Sequence, residues 1–249
     1  MEIKDIKLAL KKCGVKKNDT IMLHGDAGVA AQLKIKRRNK LGRLFDEIIN
    51  YLGKNGTLLV PTYTYQVCKK KHFNVEKTPS ELGLFSEYFR KRDKVSRTFN
   101  PIFSFAIYGK KVNYFKKSNY ETCFGKNSVF DLFNKINGKI VCLGCDIDRI
   151  TFTHHVEEFF KINYRYSKNF KIKLKYKENT KQINTSYFVR KKNIKNNINL
   201  KRLYKYLKKN KKIKESDFGR YNILSIKAKT FFKSCIKLLK KNNYSLIKP

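Results

Sequence analysis

Four short apolar runs, 20-TIMLHG-25, 56-GTLLVP-61, 101-PIFSFAIYG-109 and 138-GKIVCLG-144, constrain the fold of this chain more than any other feature. Each is nearly continuous in apolar residues and too short for a buried helix. None alternates with polar residues as a half-exposed strand does, so each is expected to be a strand buried on both faces. Helical patterns separate them. In 40-KLGRLFDEIINYLG-53, Leu41, Leu44, Phe45, Ile48, Ile49 and Leu52 recur at helical spacing, with Gly53 as the stop. The segment 79-PSELGLFSEYFR-90 opens on a Pro-Ser helix start and places Leu84, Phe85, Tyr88 and Phe89 on one face. Shorter helices are expected over residues 3–12, 127–137 and 150–161. The alternation predicts an α/β fold: a three-layer-like sandwich with a central mixed sheet flanked by helices.

The texture changes after residue 160. The segment 169-NFKIKLKYKENTKQINTSYFVRKKN-193 alternates apolar residues with Lys about an 178-ENTKQ-182 turn, which predicts a hairpin with one solvated face. Two basic amphipathic helices follow, 199-NLKRLYKYLKKN-210 and 227-KAKTFFKSCIKLLKKN-242. Such helices suit an anionic surface. They equally suit packing on the sheet through Leu200, Leu203, Leu207, Phe231, Phe232, Ile236 and Leu239, and packing is the expectation. With no linker and no repeat, residues 1–249 are read as one domain.

The formal charge is +39, from 58 Lys and Arg against 19 Asp and Glu. It admits a nucleic-acid binder. The lysines are spread along the whole chain, however, and dominate over arginine, so codon bias is the preferred explanation of the charge. Six cysteines form no disulfide pattern in a chain of this length. The C-x-x-C of Cys142 and Cys145 lies in an apolar run with no second pair to complete a zinc site, so no metal is expected. No signal peptide and no apolar run of membrane-spanning length is found. These features predict a reduced, cytoplasmic protein that binds neither nucleic acid nor membrane.

Three places hold candidate chemistry. The first strand runs into 24-HGDAG-28, which brings His24, Gly25 and Asp26 to the carboxyl end of a sheet. A turn with an Asx cap reads the same way. Thr62 follows the second strand and either meets a ligand or caps the strand. Ser104 is either a ligand contact or a satisfied core hydroxyl. In 151-TFTHHVEE-158, helical spacing puts His154 over Glu157 and Glu158, while His155 points away. Adjacent histidines cannot share one face, which argues against a metal. A histidine held by a carboxylate one turn on is a good general base, and also an ordinary helix-face pair.

Taken in order, 19-DTIMLHGD-26, 56-GTLLVPTYT-64, 79-PSELGLFSEYFR-90, 97-RTFNPIFSFAIYGK-110, 125-GKNSVFDLF-133, 138-GKIVCLGCD-146 and 151-TFTHHVEE-158 resemble the aminoglycoside 3-N-acetyltransferase family. The resemblance implies an acetyl-CoA-dependent N-acetyltransferase. Thr151 and His154 fall on the family's T-x-x-H, where the histidine is the base, and Glu157 falls on the acidic residue that orients it. The resemblance places His24, Gly25, Thr62 and the Ser104–Phe105–Ala106 segment near the pantetheine and acetyl end of the cofactor. It places Asp26 and Thr151 near the acceptor. One departure is that Asp26 and Ala27 stand where the family usually has Ser and Leu. The run 24-HGDAGVAAQ-32 is closer to the branch that acetylates nucleotide-linked amino sugars for surface polysaccharides. A small-molecule amino-sugar acceptor is therefore expected, with a homodimer compatible with the reading. An aminoglycoside acceptor, and a basic RNA- or membrane-binding protein on a degenerate fold, are the alternatives.

Overall fold

The computed structural model describes residues 1–35, 39–192, 194 and 197–248. Asn193, the last residue of the expected hairpin segment, lies outside them. The elements run α1 (Asp5–Lys12), β1 (Thr20–Gly25), α2 (Gly28–Ala31), α3 (Lys40–Leu52), β2 (Thr57–Pro61), α4 (Val67–Lys70), β3 (His72–Asn74), α5 (Leu84–Arg90), β4 (Ser96–Arg97) and β5 (Phe105–Gly109). They continue with α6 (Val112–Lys116), α7 (Val129–Lys135), β6 (Lys139–Leu143), α8 (Phe152–Phe160), β7 (Arg165–Tyr176), β8 (Asn179–Arg190), α9 (Lys201–Lys209), β9 (Lys214–Phe218), β10 (Tyr221–Lys227) and α10 (Ala228–Leu239).

Seven strands form the central sheet in the order β4-β5-β2-β1-β6-β10-β9. The sheet is mixed, as expected. β1 pairs in parallel with β2 and β6, and the remaining pairs are antiparallel. The continuous apolar runs are explained by burial on both faces. Ile21, Leu23, Leu58, Val60, Val141 and Leu143 pack on one side with α1, α3 and α5. Met22, Leu59, Ile140 and Cys142 pack on the other with α7, α8 and α10. Because side chains alternate along a strand, successive apolar residues of a run reach alternate cores.

Local chemistry sets the helix limits. The Asn39 side chain accepts from Gly42 N at 2.9 Å to start α3, and Gly53 at φ 72° ends it. Ser128 caps α7 by accepting from Asp131 N at 3.3 Å. The Pro-Ser start expected for α5 is displaced, since the helix begins at Leu84 after Gly83 at φ 89°. Ser80 N instead donates to the Glu87 carboxylate at 2.8 Å, so the segment folds back onto the helix without joining it. Similarly, the third apolar run is a strand only from Phe105. Asn100 Oδ1 accepts from Ile102 N and Phe103 N and curls the chain before it.

The hairpin forms, with its turn at Lys177–Glu178 ahead of the expected position, because Lys177 adopts φ 52°. It belongs to a separate three-stranded sheet, β3-β7-β8. β9 and β10, which extend the main sheet beyond β6, have no counterpart in the expected element list. The basic helices pack through their apolar stripes: Leu200, Leu203, Leu207, Phe231 and Leu239 are buried. No helix among the described residues is long and apolar enough to cross a membrane.

Candidate active site

The parallel strands β1, β2 and β6 end on the same edge of the sheet, and a cavity of about 520 Å³ opens there. His24, Gly25 and Asp26 reach it from β1, Pro61 and Tyr63 from β2, and Gly144, Cys145 and Asp146 from β6. The α8 region adds Thr151 and His154, and the end of β8 adds Arg190. The carboxyl edge of parallel strands is where α/β folds place their ligands.

His154 is the centre of the site. Its Nδ1 lies 2.7 Å from Glu157 Oε2, one helical turn on. Glu157 is fully buried, and Tyr164 donates its hydroxyl to Oε1 at 2.9 Å. Arg165 Nε lies 2.9 Å from Oε2, close enough for an ion pair although poorly aligned for a hydrogen bond. Arg165 Nη2 is also 3.1 Å from His154 Nδ1. One Nδ1 cannot both donate to Glu157 and accept from Arg165. The shorter contact decides for Nδ1–H donating to the carboxylate, which leaves the Nε2 lone pair as the basic position.

The charges agree with this tautomer. Burial holds His154 below its ordinary pKa and Arg165 adds to the effect; the Glu157 hydrogen bond only partly offsets them. Burial pushes Glu157 up, but the His154 hydrogen bond, Arg165 and Tyr164 together hold it below the carboxylate range. Near neutral pH the pair is therefore a neutral imidazole on an ionised carboxylate.

The rest of the constellation divides into wall and scaffold. The Thr151 hydroxyl lies 2.5 Å from Tyr63 OH and makes no capping bond to α8, although Thr151 holds the N-cap position. His155 points away, with Nδ1 2.6 Å from Phe124 O, and is buried. Asp26 Oδ1 accepts from Gly28 N at 2.7 Å, so the Asx turn exists, and the same residue lines the cavity. Gly25 leaves room for Phe85, whose ring would lie 2.4 Å from a Cβ at that position. His24 is 7% exposed, and its Nε2 has no hydrogen-bond partner among the described residues. Burial lowers the His24 pKa to about 4.

Thr62, Ser104, Phe105 and Ala106 do not meet the cavity. All four are fully buried. Thr62 and Ser104 instead serve Arg97, whose Nε donates to both hydroxyls at 3.2 and 3.0 Å while Nη2 donates to Thr62 O at 2.7 Å. These bonds anchor Arg97, Thr62 and Ser104 together under the strand ends. Among the described residues no group of three or more His, Cys, Asp or Glu is placed to hold a metal. Three residues at the site, Tyr164, Arg165 and Arg190, are not among the candidates expected from the sequence. Arg165 and Arg190 are paired across the open end of the β7–β8 hairpin, a register that a single sequence does not display.

A family model for aminoglycoside 3-N-acetyltransferases matches residues 38–240. The chain belongs to the aminoglycoside 3-N-acetyltransferase family. It is an N-acetyltransferase of that family. No curated protein sequence matches it at a significant level. Solved structures share the fold. Aminoglycoside acetyltransferase AAC(3)-IVa, as apoenzyme, is 18% identical with a TM-score of 0.80, covering 100% of this chain and 92% of that one. AAC-IIIb in a binary complex with CoASH is 16% identical with a TM-score of 0.84, covering 100% and 99%. The YokD protein from Bacillus subtilis is 17% identical with a TM-score of 0.78, covering 96% and 99%.

Proposed function

We propose that this N-acetyltransferase transfers the acetyl group of acetyl-CoA to the amine of a nucleotide-linked amino sugar, of the 4-amino-4,6-dideoxyhexose type, with His154 as general base. The observation that carries the reading is the His154–Glu157 pair set beside a cavity at the carboxyl edge of the sheet. The cavity suits the thioester end of acetyl-CoA: Leu23, Pro61 and Ile150 offer apolar wall to its arm, and His24 supplies a buried polar atom still to be paired. When bound, acetyl-CoA supplies the acetyl group as an activated thioester.

A sugar amine is largely protonated near neutral pH and must lose a proton before it attacks. His154 Nε2 accepts that proton, directly or through one water, and can return it to the CoA thiolate that leaves as the C–N bond forms and the C–S bond breaks. Glu157 fixes the ring through Nδ1–H and steadies the imidazolium as it forms. Thr151, Tyr63 and Asp26 line the same cavity and can position the acceptor's hydroxyl and ammonium groups.

The ionic lining bears on the acceptor. Arg149 and Arg190 are planar forks suited to a diphosphate, while Asp26, Asp146 and Asp148 suit an ammonium. A nucleotide-linked amino sugar uses both signs. An aminoglycoside is the second reading, and one observation favours it. Among the described residues no lysine lines the cavity, and the lining carboxylates outnumber the guanidiniums.

The test is acetyl-CoA turnover with both acceptor classes, on wild type and His154→Ala. General-base loss should lower kcat by roughly 10²–10⁴-fold with the fold intact. Near-wild-type turnover of His154→Ala removes the base assignment. Turnover confined to kanamycin-like acceptors replaces the nucleotide-sugar reading with the second one.

A further inference from the structure

A second cavity, of about 550 Å³, lies where the end of α6 meets the tip of the β7–β8 hairpin. Among the described residues it shares no lining residue with the His154 cavity. Phe124, whose ring centroid is 5.3 Å from that of His154, packs on Phe103 and Tyr187, and none of these three lines either cavity.

Three kinds of group converge on this second cavity. The first is aromatic: Phe99 and Tyr176 meet edge to face with centroids 5.1 Å apart, and Tyr120 also lines the space. The second is cationic. Lys116 Nζ stands 5.7 and 5.4 Å from the Phe99 and Tyr176 ring centroids, and Lys181 Nζ stands 4.5 Å from that of Tyr120. Among the described residues no carboxylate lies within 4.0 Å of either ammonium group. The third is a hydroxyl. Ser118 is 3% exposed, lines the cavity, and its Oγ has no hydrogen-bond partner among the described residues. A buried hydroxyl left unpaired is disfavoured unless something else pairs with it.

Flat π faces, uncompensated ammonium groups and an unpaired buried hydroxyl are together the requirements of a base, a phosphate and a hydrogen-bonding sugar or ring edge. We infer that this cavity is a binding site for a nucleoside diphosphate. The unit occurs in free nucleotides and at one end of CoA, and the site takes the chemistry common to both. The inference does not depend on which acceptor the enzyme acetylates.

Calorimetric titration of the purified protein with ADP tests it. Lys116→Ala/Lys181→Ala should weaken ADP binding about tenfold or more. Lys205→Ala/Lys209→Ala, which removes two exposed lysines of α9, should leave it unchanged and so separates a built site from general positive charge. Ser118→Ala should weaken it a few-fold. ADP binding that persists at saturating CoA assigns the site to free nucleotides; competition by CoA, lost in the Lys116/Lys181 variant, assigns it to the nucleotide end of the cofactor. Three results overturn the inference: no ADP binding at millimolar concentration, equal affinity for inorganic pyrophosphate, or equal affinities in wild type and Lys116→Ala/Lys181→Ala.

Discussion

Replacing Glu157 by Gln keeps the shape of the site and removes one negative charge, so it isolates what the carboxylate does. The carboxylate accepts a hydrogen bond from His154 that becomes fully charge-assisted only when the ring takes a proton. A charged hydrogen bond contributes about 1.5–3 kcal/mol more than none, so kcat should fall roughly 10- to 150-fold. The acid limb of the kcat/KM profile gives a second, independent readout. With His154 as the proposed base, activity should require its neutral form and be lost as pH falls through its pKa, which burial and Arg165 already hold below 6.5. Glu157 is the raising influence, so removing it lowers the pKa further and moves the acid limb to lower pH while the plateau drops. Stability should fall too. The Arg165 side chain is 1% exposed, and without its partner it becomes an unpaired buried cation, a loss of about 3 kcal/mol. The assay is release of free CoA thiol against pH, with urea unfolding on the same samples. A variant with turnover within twofold of wild type, or an acid limb moved upward, refutes the assigned role of Glu157.

Arg165→Gln should do the reverse to the profile: it removes a lowering influence on His154, so the acid limb of kcat/KM moves to higher pH. His24 predicts a pH-dependent stability. Its pKa is about 4 in the fold against 6.5 ordinarily, so the unfolded chain binds the proton first as pH falls. That contribution is fully present above 6.5 and declines by about 3 kcal/mol towards pH 4. Urea unfolding at pH 7 and pH 4.5 should show a correspondingly smaller loss in His24→Asn than in wild type, and equal losses would exclude His24 as the cause. Gly25→Ala forces a methyl onto the Phe85 ring, which is buried against Phe45, and should cost about 2 kcal/mol of stability. An unchanged midpoint in thermal unfolding would show that Phe85 moves aside freely.

The elements that could be read from sequence are those whose pattern is local. Ile21 and Leu23 face one core and Met22 the other, and a run buried on both faces can be recognised without its partners. Asn39, Gly53 and Ser128 mark helix ends through bonds made within a few residues. The features that could not be read depend on distant partners. β9 is a largely exposed strand, 214-KESDF-218, whose polar composition hides it; it becomes a strand only because β10 offers an edge. The α5 start moved because Ser80 found the Glu87 carboxylate, a partner seven residues ahead.

The candidate site divides along the same line. His154 and Glu157 are one helical turn apart, so their contact follows from spacing, and so does the divergence of His155. Arg165 meets Glu157 only because the hairpin brings its first residue beside α8, opposite Arg190. That contact changes the chemistry the helical motif alone implies. A lone carboxylate would raise the pKa of His154 and bring it closer to protonation at neutral pH. A guanidinium 3.1 Å from the same ring opposes this and helps keep Glu157 ionised, so the pair stays neutral histidine and charged glutamate. The motif therefore pairs the proposed base with its carboxylate, whereas Arg165, at the start of the hairpin, helps set the pH range over which the histidine remains unprotonated.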